Sequence, residues 1–556
     1  MQKIVECVPN FSEGRDRSII EAIAAEVSST ENILLLDVDP GKATNRTVFT
    51  FIGSPEGVKE AAFKAIKKAS ELIDMQKQTG EHPRIGAADV VPFVPVSGVT
   101  MEDCVQLAHD LGQRVGEELH IPVYLYEEAA TQPERRNLAD IRKGEYESLP
   151  EKLKDPHWKP DYGPAEFNPR TGATVIGARE FLIAYNINLN TRDRKLAQEI
   201  ALNLRESGRA KRDETGQIVR NPDGTALKVP GRLKAVKGVG WYIDEYGIAQ
   251  VSYNLTNYKV TPLYRVFEES QKEAGKLGLR VTGSELVGLI PLEAIKQAGC
   301  YFLEKQGKTA GVPEEEIIHI AVKSLGLDDL GPFDPEQKII EYRFQERFGP
   351  LAKMRLWEFS NELSMDSPTP GGGSAAALSG ALAAALVSMV ANLTYGNKKY
   401  EQHWDAVKPL AVKAQELKDR LLKAVDRDTA AFDAVMDAYR RPKKTEEDQK
   451  ARENAIQQAT KGATGVPLEV MELAFETLQL AKTAAEKGNV NSISDAGVAA
   501  LMALSAVEGA YLNVKINLGA IEDNSFKTGA ETKAGEIRKK AMELKHEIWN
   551  LVEKNR

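Results

Sequence analysis

"PTPGGGSAAALSGALAAALVSMVANLTYG", residues 368–396, is the stretch whose reading decides the fold. Three glycines follow a proline, and residues 374–393 then carry no charge. Four readings compete: a phosphate loop, a membrane helix, a low-complexity spacer, or the floor of a catalytic site. The phosphate loop fails because no Lys-Ser or Lys-Thr follows the glycines and no strand precedes them. The run has the length of a span, about 20 residues. Yet it is mostly Ala, Gly and Ser, with Asp366 just before it and "NKKYEQHW" just after. Alanine gives little transfer free energy, whereas small side chains let helices approach closely. The stretch reads as a tightly packed helix of a soluble bundle. Its N-terminal N–H groups remain able to hold an anion or a carboxylate.

Outward from this helix, everything after about Leu356 has helical periodicity, with caps and Gly breaks between Ala- and Leu-rich segments. This predicts an all-α helical-bundle domain over 356–556. The chain before it alternates strands and helices. "KIVECVPNF", "SIIEAIAAEVSS", "NILLLDVD", "TVFTFIG", "SPEGVKEAAFKAIKKASELI" and "VVPFVPV" give the order β-α-β-β-α-β, the ferredoxin-like α+β pattern. Ser54 is the expected N-cap of the second helix. The order returns in "FLIAYNINL", "RKLAQEIALNLRE", a strand pair turning near Glu245–Gly247, "TPLYRVFEESQKEAGKLG" and "RVTGSELVGLI". The expected architecture is α/β plus all-α: two ferredoxin-like subdomains, 1–181 and 182–344, a connector 345–355, and the helical domain. Two facing subdomains would form a cleft, a common ligand site. "DYGPAEFNPRTGATVIGARE" between them, rich in Gly and Pro, reads as a loop. "KIIEYRF" reads as the last strand. Residues 211–231 read as a polar surface hairpin turning at Asp223-Gly224.

A chain of 556 residues holds about three or four domains of roughly 100–200 residues. The net charge is −8 and no basic block stands out, which argues against nucleic acid. Cys7, Cys104 and Cys300 are far apart and odd in number, against a disulfide framework or a zinc cluster. "MQKIVECVPNFSEGR" lacks the apolar core of a signal peptide, so a reducing cytoplasm is expected.

Among seven histidines none pairs at HxxxH spacing. His109 and His120 flank an expected helix, and His319 lies in another. His82 stands apart, in "TGEHPRIGAADVVPF". Pro83 restricts its backbone, and Gly80 and Gly86 permit close approach of a ligand. Glu81 and Arg84 would surround the imidazole with charge. A rigid loop histidine at a sheet end suits acid-base work, although an ordinary loop histidine looks the same. Strand-end loops add Asn10, Ser12, Arg15, Asp37, Asp39, Asn45 and Arg46, which fit a site or ordinary turns equally well.

In the helix around "VKAQELKDRLLKAVDRDTAAFDAVMDAY", residues Leu410, Ala414, Leu417, Leu421, Val425, Asp428, Phe432, Val435 and Tyr439 share one face. Asp428 therefore interrupts an apolar stripe, whereas Asp426 and Asp433 point elsewhere. Such a carboxylate is bonded to a neighbouring helix or has its pKa raised for acid-base work. In the helix of "NVNSISDAGVAALMALSAVEGAYLNVKINL", Ser494 or Asp495 could cap the start. Asn513 and Asn517, four apart, could face a ligand or a neighbouring helix.

Several of these segments carry a resemblance. "VECVPNFSEGR", "LLDVDPG", "TNRTVFTFIG" and "GEHPRIGAADVVPFVPV" closely resemble the formiminotransferase domain family. "DSPTPGGGSAAALSGALAAALVSMVANLTYG" and "NSISDAGVAALMALSAVEGAYLNVKINL" resemble the formiminotetrahydrofolate cyclodeaminase and methenyltetrahydrofolate cyclohydrolase family. Their order is that of the bifunctional family that joins both domains. The resemblance implies transfer of a formimidoyl group from N-formimidoyl-L-glutamate to N5 of tetrahydrofolate. It then implies cyclisation of 5-formimidoyltetrahydrofolate to 5,10-methenyltetrahydrofolate with release of ammonia, in histidine degradation. Tetrahydrofolate, with or without a polyglutamate tail, would be the co-substrate, with no metal. By resemblance the transferase histidine is His82 and the cyclodeaminase acid-base group is Asp428. The folate-binding segment is Gly163, Pro164, Ala165, Glu166, Phe167, Asn168, Pro169, Arg170, Thr171 and Gly172, with Phe167 packing on a folate ring and Arg170 meeting a carboxylate. The assembly implied is a homo-oligomer, a ring of dimers, without nucleic acid or membrane. Two alternatives remain: a helical domain that is only a cyclohydrolase, or a folate-binding scaffold. The 211–231 hairpin is longer than the resemblance leads one to expect for animal forms.

Overall fold

The computed structural model describes residues 3–555 except 43, 81, 223 and 345. Glu81 and Asp223, expected at the imidazole and at a hairpin tip, lie outside the described residues. The chain forms two compact units. One comprises Met1–Ala294 and Leu325–Phe344, the other Ile295–Ser324 and Gln345–Arg556.

The first unit begins with β1 (Ile4–Cys7), β2 (Asn10–Phe11), α1 (Arg17–Ser28), β3 (Ile33–Gly41), β4 (Arg46–Gly53), α2 (Pro55–Leu72) and β5 (Ala88–Ser97). It continues with α3 (Met101–Glu118), β6 (Val123–Glu127), the short α4 (Leu138–Ile141) and α5 (Leu149–Lys152), and β7 (Thr174–Ala178). Ser54 caps α2 by accepting from the Gly57 N–H. The sheet runs β3-β4-β1/β2-β5-β7-β6, antiparallel up to β5 and parallel from β5 through β7 to β6. Side chains alternate between its faces. Val5, Cys7, Phe49, Phe51, Val91 and Phe93 enter a core with Ile23, Val58, Ile66, Leu111 and Val115 of α1–α3. Glu6, Val8, Asn10, Arg46, Val48, Thr50, Val90 and Pro92 face the other way, into a cleft.

β7 corrects the expectation of a loop over 161–180. Its five residues are all buried between two parallel neighbours. A short apolar run buried on both faces has no alternation to reveal it.

The second sheet follows. β8 (Ile183–Leu189), α6 (Arg194–Leu204), β9 (Arg209–Ala210), β10 (Lys228–Val229), β11 (Val236–Ile243), β12 (Ile248–Leu255), α7 (Leu263–Lys276) and β13 (Val281–Val287) succeed one another. The order β11-β12-β8-β13 is antiparallel throughout. Gly247, at φ +63°, turns β11 into β12 as expected. The 211–231 segment extends beyond the β9–β10 pair and folds into two small turns, marked by bridges Arg212–Ile218 and Arg220–Ala226. "KIIEYRF" is not a strand. After α8 (Leu292–Lys305) and α9 (Glu314–Leu325), it forms the end of α10 (Pro335–Lys338) and α11 (Ile340–Phe344), with Ile339 bridging Ile290 and Ile340 packing on Ile4, Leu36 and Ile52 of the first sheet.

The other unit is helical: α12 (Leu356–Leu363), α13 (Gly372–Thr394), α14 (Trp404–Arg440), α15 (Glu446–Lys487), α16 (Ile493–Leu518) and α17 (Asn524–Lys554). Residues 295–324 cluster with these helices rather than with the second sheet. Ser388 and Asn392 of α13 donate to the Gly311 carbonyl at 2.8 and 2.6 Å, and Gly311 lies so close to Ala411 that a Cβ would collide. α13 and residues 490–518 are long and apolar enough to cross a membrane. Most of the apolar window of α13 is buried in the bundle, whereas α16 buries one face and exposes Leu512 and Ile516. Ala377, Ala381, Ala384 and Ala391 pack with Ala414, Leu417, Ala503, Ala506 and Ala510. A β-carbon on Gly380 would already sit 3.1 Å from Leu421.

Candidate active sites

The cleft of the first unit has a volume of about 740 Å³ and is lined from both sheets, with Ala184, Asn254 and Val287 facing the β1–β4–β5 residues. His82 lines it. Its Nδ1 lies 2.7 Å from the Pro83 carbonyl and 3.2 Å from Arg46 Nη1. The carbonyl can only accept, so Nδ1–H donates to it and the Arg46 contact is an approach of like polarity. Nε2 is then the basic nitrogen. Burial pushes the imidazole down to about 4, the Arg46 cation adds to this, and the Pro83 carbonyl opposes it.

Arg46 is held in turn. Its Nε donates to Asn10 at 3.0 Å, and its guanidinium pairs with the fully buried Asp89. Asp89 also pairs with Arg142 and accepts from the Ile85 N–H at 2.9 Å. Burial would raise the Asp89 pKa, but the two guanidiniums and the N–H outweigh it and hold the carboxyl below its usual range. Asp37 and Asp39 line the cleft, and Asp37 is raised by burial and then by Asp39.

The other strand-end residues serve the scaffold. Ser12 is buried and donates to the Gly86 carbonyl at 2.7 Å. Asn45 accepts from the Gly14 N–H and donates to Thr79 O. Arg15 donates to Lys42 O at the surface. Arg84 is not at the imidazole: its guanidinium is taken by Gln78, Glu145 and Glu147. His109 lies inside α3 rather than beside it, against the Tyr162 hydroxyl at 2.8 Å.

Residues 163–172 do not line the cleft. Gly163, at φ +78°, packs on Gly116 of α3. Phe167 rests on Tyr146 with ring centroids 5.5 Å apart. Arg170 donates to the Ser70 and Glu71 carbonyls at the end of α2. The segment meets the His82 loop at its last residue, where Gly172 bridges Gly86.

Asp89 and Arg142 complete the His82 surroundings and escaped the sequence reading. Asp89 could have been noticed as a charge opening an apolar strand. Arg142 sits in an irregular region with no local signal.

In the helical unit Asp428 faces the entry to α13. A Cβ on Gly373 would stand 2.2 Å from Asp428 Oδ1, so only glycine lets the carboxyl lie there. Ser374 Oγ is 2.9 Å from the Val425 carbonyl and 3.2 Å from Asp428 Oδ2. Its single proton is shared between the two acceptors, and the share given to Asp428 favours the ionised carboxyl. Burial raises the Asp428 pKa, opposed by the Ser374 hydroxyl and N–H. The stripe is buried through Leu421 and Val425, half-buried at Asp428, and exposed by Tyr439. Asp428 thus marks where the packed face opens.

Asp426 accepts from the Leu351 and Ala352 N–H groups and fastens the segment before α12. Asn513 lies beside Gly372, whereas Asn517 ties α16 to the Ala463 carbonyl of α15. The N-cap of α16 is Ser492, not Ser494 or Asp495, because a 3₁₀ turn over Val490–Ser492 starts the helix earlier. Among the described residues no three His, Cys, Asp or Glu side chains are grouped to hold a metal ion.

Comparison with known proteins covers most of the chain. The formiminotransferase domain, N-terminal subdomain, matches residues 4–179; the formiminotransferase domain matches 184–345; formiminotransferase-cyclodeaminase matches 355–536. The formimidoyltransferase-cyclodeaminase of Mus musculus is 47% identical over 530 residues, 95% of this chain and 94% of its own. The glutamate formimidoyltransferase of Streptococcus pyogenes serotype M1 is 42% identical over 304 residues, 55% of this chain and 94% of its own. The methenyltetrahydrofolate cyclohydrolase of Methylorubrum extorquens is 48% identical over 168 residues, 30% of this chain and 81% of its own.

Proposed function

The chain belongs to the formiminotransferase-cyclodeaminase family, and on that premise we propose that His82 and Asp428 carry its two reactions, one in each compact unit. The enzyme is bifunctional. It transfers the formimidoyl group of N-formimidoyl-L-glutamate to tetrahydrofolate, and it cyclises 5-formimidoyltetrahydrofolate to 5,10-methenyltetrahydrofolate with release of ammonia. The observation that carries the residue assignment is placement: His82 lines the cleft with Nδ1 on the Pro83 carbonyl, and Asp428 lies against Gly373 where a helix face opens.

In transfer, N5 of tetrahydrofolate attacks the formimidoyl carbon and His82 Nε2 takes the N5 proton. The bond from that carbon to the glutamate nitrogen breaks, and His82 returns the proton to the departing nitrogen. In cyclisation, N10 attacks the amidinium carbon of 5-formimidoyltetrahydrofolate. Asp428 accepts the N10 proton and passes it to the amino group, which leaves as ammonia. Burial raises the Asp428 pKa, which makes its carboxylate a stronger base for the N10 proton than an exposed aspartate.

Residues Gly163 through Gly172 contact tetrahydrofolate in this reading, with Phe167 against a ring. Arg170 must exchange the Ser70 and Glu71 carbonyls for a carboxylate to take part. Two ferredoxin-like halves, 1–181 and 182–344, a connector 345–355 and a helical domain 356–556 make up the division. The recurring strand order, β3-β4-β1-β5 and β11-β12-β8-β13, supports the halves. The enzyme works in histidine degradation in the cytoplasm, without metal, nucleic acid or membrane, as a ring of dimers that accepts polyglutamylated folate. Its separated free cysteines support a reducing compartment.

The resemblance to a methenyltetrahydrofolate cyclohydrolase favours one other reading, in which the helical unit only hydrolyses the methenyl product. Supplying 5-formimidoyltetrahydrofolate and measuring ammonia separates the two. Ammonia release that depends on Asp428 is expected, and its absence would leave the cyclohydrolase.

A further inference from the structure

Glu6 is used by neither step above. It lies in β1 opposite Ile52 and Val94, on the face of the sheet that lines the cleft. The residue is 1% exposed, and neither carboxyl oxygen meets a donor among the described residues. Arg179 and Glu341 are the charges that act on it, and Glu341 already accepts from the Leu292 N–H at 2.8 Å. The apolar side chains of Ile4, Leu36, Ile52 and Ile340 cluster at this end of the sheet. A buried carboxyl without a donor costs stability until something supplies one.

We propose that Glu6 holds the pterin end of tetrahydrofolate, its two oxygens accepting from N3–H and the 2-amino group. The proposal rests on the reading of this cleft as the transferase site. A carboxylate and two parallel N–H donors on a planar ring form a bidentate pair, and the proton that burial keeps on free Glu6 is released when they bind. Spacing supports the placement. Four residues separate Glu6 from Asn10, about 13 Å at roughly 3.3 Å per strand residue. Arg46 links Asn10 to His82 at that far end. A fused bicyclic ring with a hydrogen bond of about 3 Å at each end covers a similar length, which puts N5 towards His82. The formimidoyl group offers the same pair of donors, but the reaction needs its carbon beside His82, at the opposite end.

The test uses the full chain with Glu6→Gln and Glu6→Leu. Glutamate release is followed with tetrahydrofolate and with an analogue whose 2-amino group is replaced by methyl. KM for tetrahydrofolate should rise about 10- to 100-fold in both variants, with KM for N-formimidoyl-L-glutamate nearly unchanged. The analogue should be penalised in the wild type and no further in E6L, a pattern that general structural damage cannot produce. E6L should melt no lower than the wild type, since it removes an unpaired buried carboxyl; E6Q, of nearly the same shape, reports in its place if E6L does not fold. An unchanged tetrahydrofolate KM, or an analogue penalty equal in E6L and wild type, overturns the assignment of Glu6 alone. A wild-type chain that releases no glutamate overturns the reading of the cleft, and this assignment with it.

Discussion

Burial and the Arg46 guanidinium push the His82 imidazole down to about 4, so it is an uncharged base throughout the neutral range. Formimidoyl-transfer kcat/KM should therefore stay level on acidification from pH 8 to about 5 and fall only below that. An acid limb centred near the ordinary histidine value would show that the ring is neither buried nor beside Arg46 during turnover. Glu6 makes a stability prediction of opposite sign. Its carboxyl is pushed up to about 8 by burial, against an ordinary 4.5. Between those values the folded chain holds a proton that the unfolded chain has released, so this group's contribution is full below 4.5 and is lost as pH rises through 8. The gain in melting temperature of E6Q over wild type should thus grow from pH 5 to pH 8.5, and a gain independent of pH would contradict the buried carboxyl. His82 was legible because Pro83 and the flanking glycines single it out in sequence. Asp89 and Arg142 were not, because they reach Arg46 from segments whose pairing only the tertiary fold creates.

At the level of elements, the proposed second site is where α13 meets α14, with Gly373 against Asp428. Gly373→Ala places a methyl where the Asp428 carboxyl lies and should lower ammonia release about 100-fold, with glutamate release from the other unit unchanged. Ser374→Ala removes a hydroxyl that opposes the effect of burial on Asp428. The pH limb of cyclodeamination should then move to higher pH; an unmoved limb would mean that Ser374 does not bond the carboxyl. The period of α14 put Asp428 on the packed face, and the structure sharpens this to the edge of that face. β7 shows where periodicity fails: a strand buried on both faces looks like any short apolar run, and its glycine-rich approach looked like loop. α11 erred the other way, since "KIIEYRF" alternates well enough for a strand and is helical in its tertiary setting.

At the level of the molecule, the two proposed sites fall in two compact units, and the glycine-rich stretch at 368–396 belongs to the second unit. The helical character of everything after about residue 356 was plain in the sequence, but the strands end earlier than it suggested, at Val287. The membership of 295–324 was not plain, because two amphipathic helices do not declare which core they join. The central claim is that each reaction depends on its own acid-base group. The most direct measurement assays full-length His82→Asn and Asp428→Asn side by side, following glutamate release from N-formimidoyl-L-glutamate and ammonia release from 5-formimidoyltetrahydrofolate. H82N should lose glutamate release by about 10²- to 10⁴-fold and keep ammonia release, and D428N should do the reverse. Both activities lost together in either variant, or neither lost, would contradict the account.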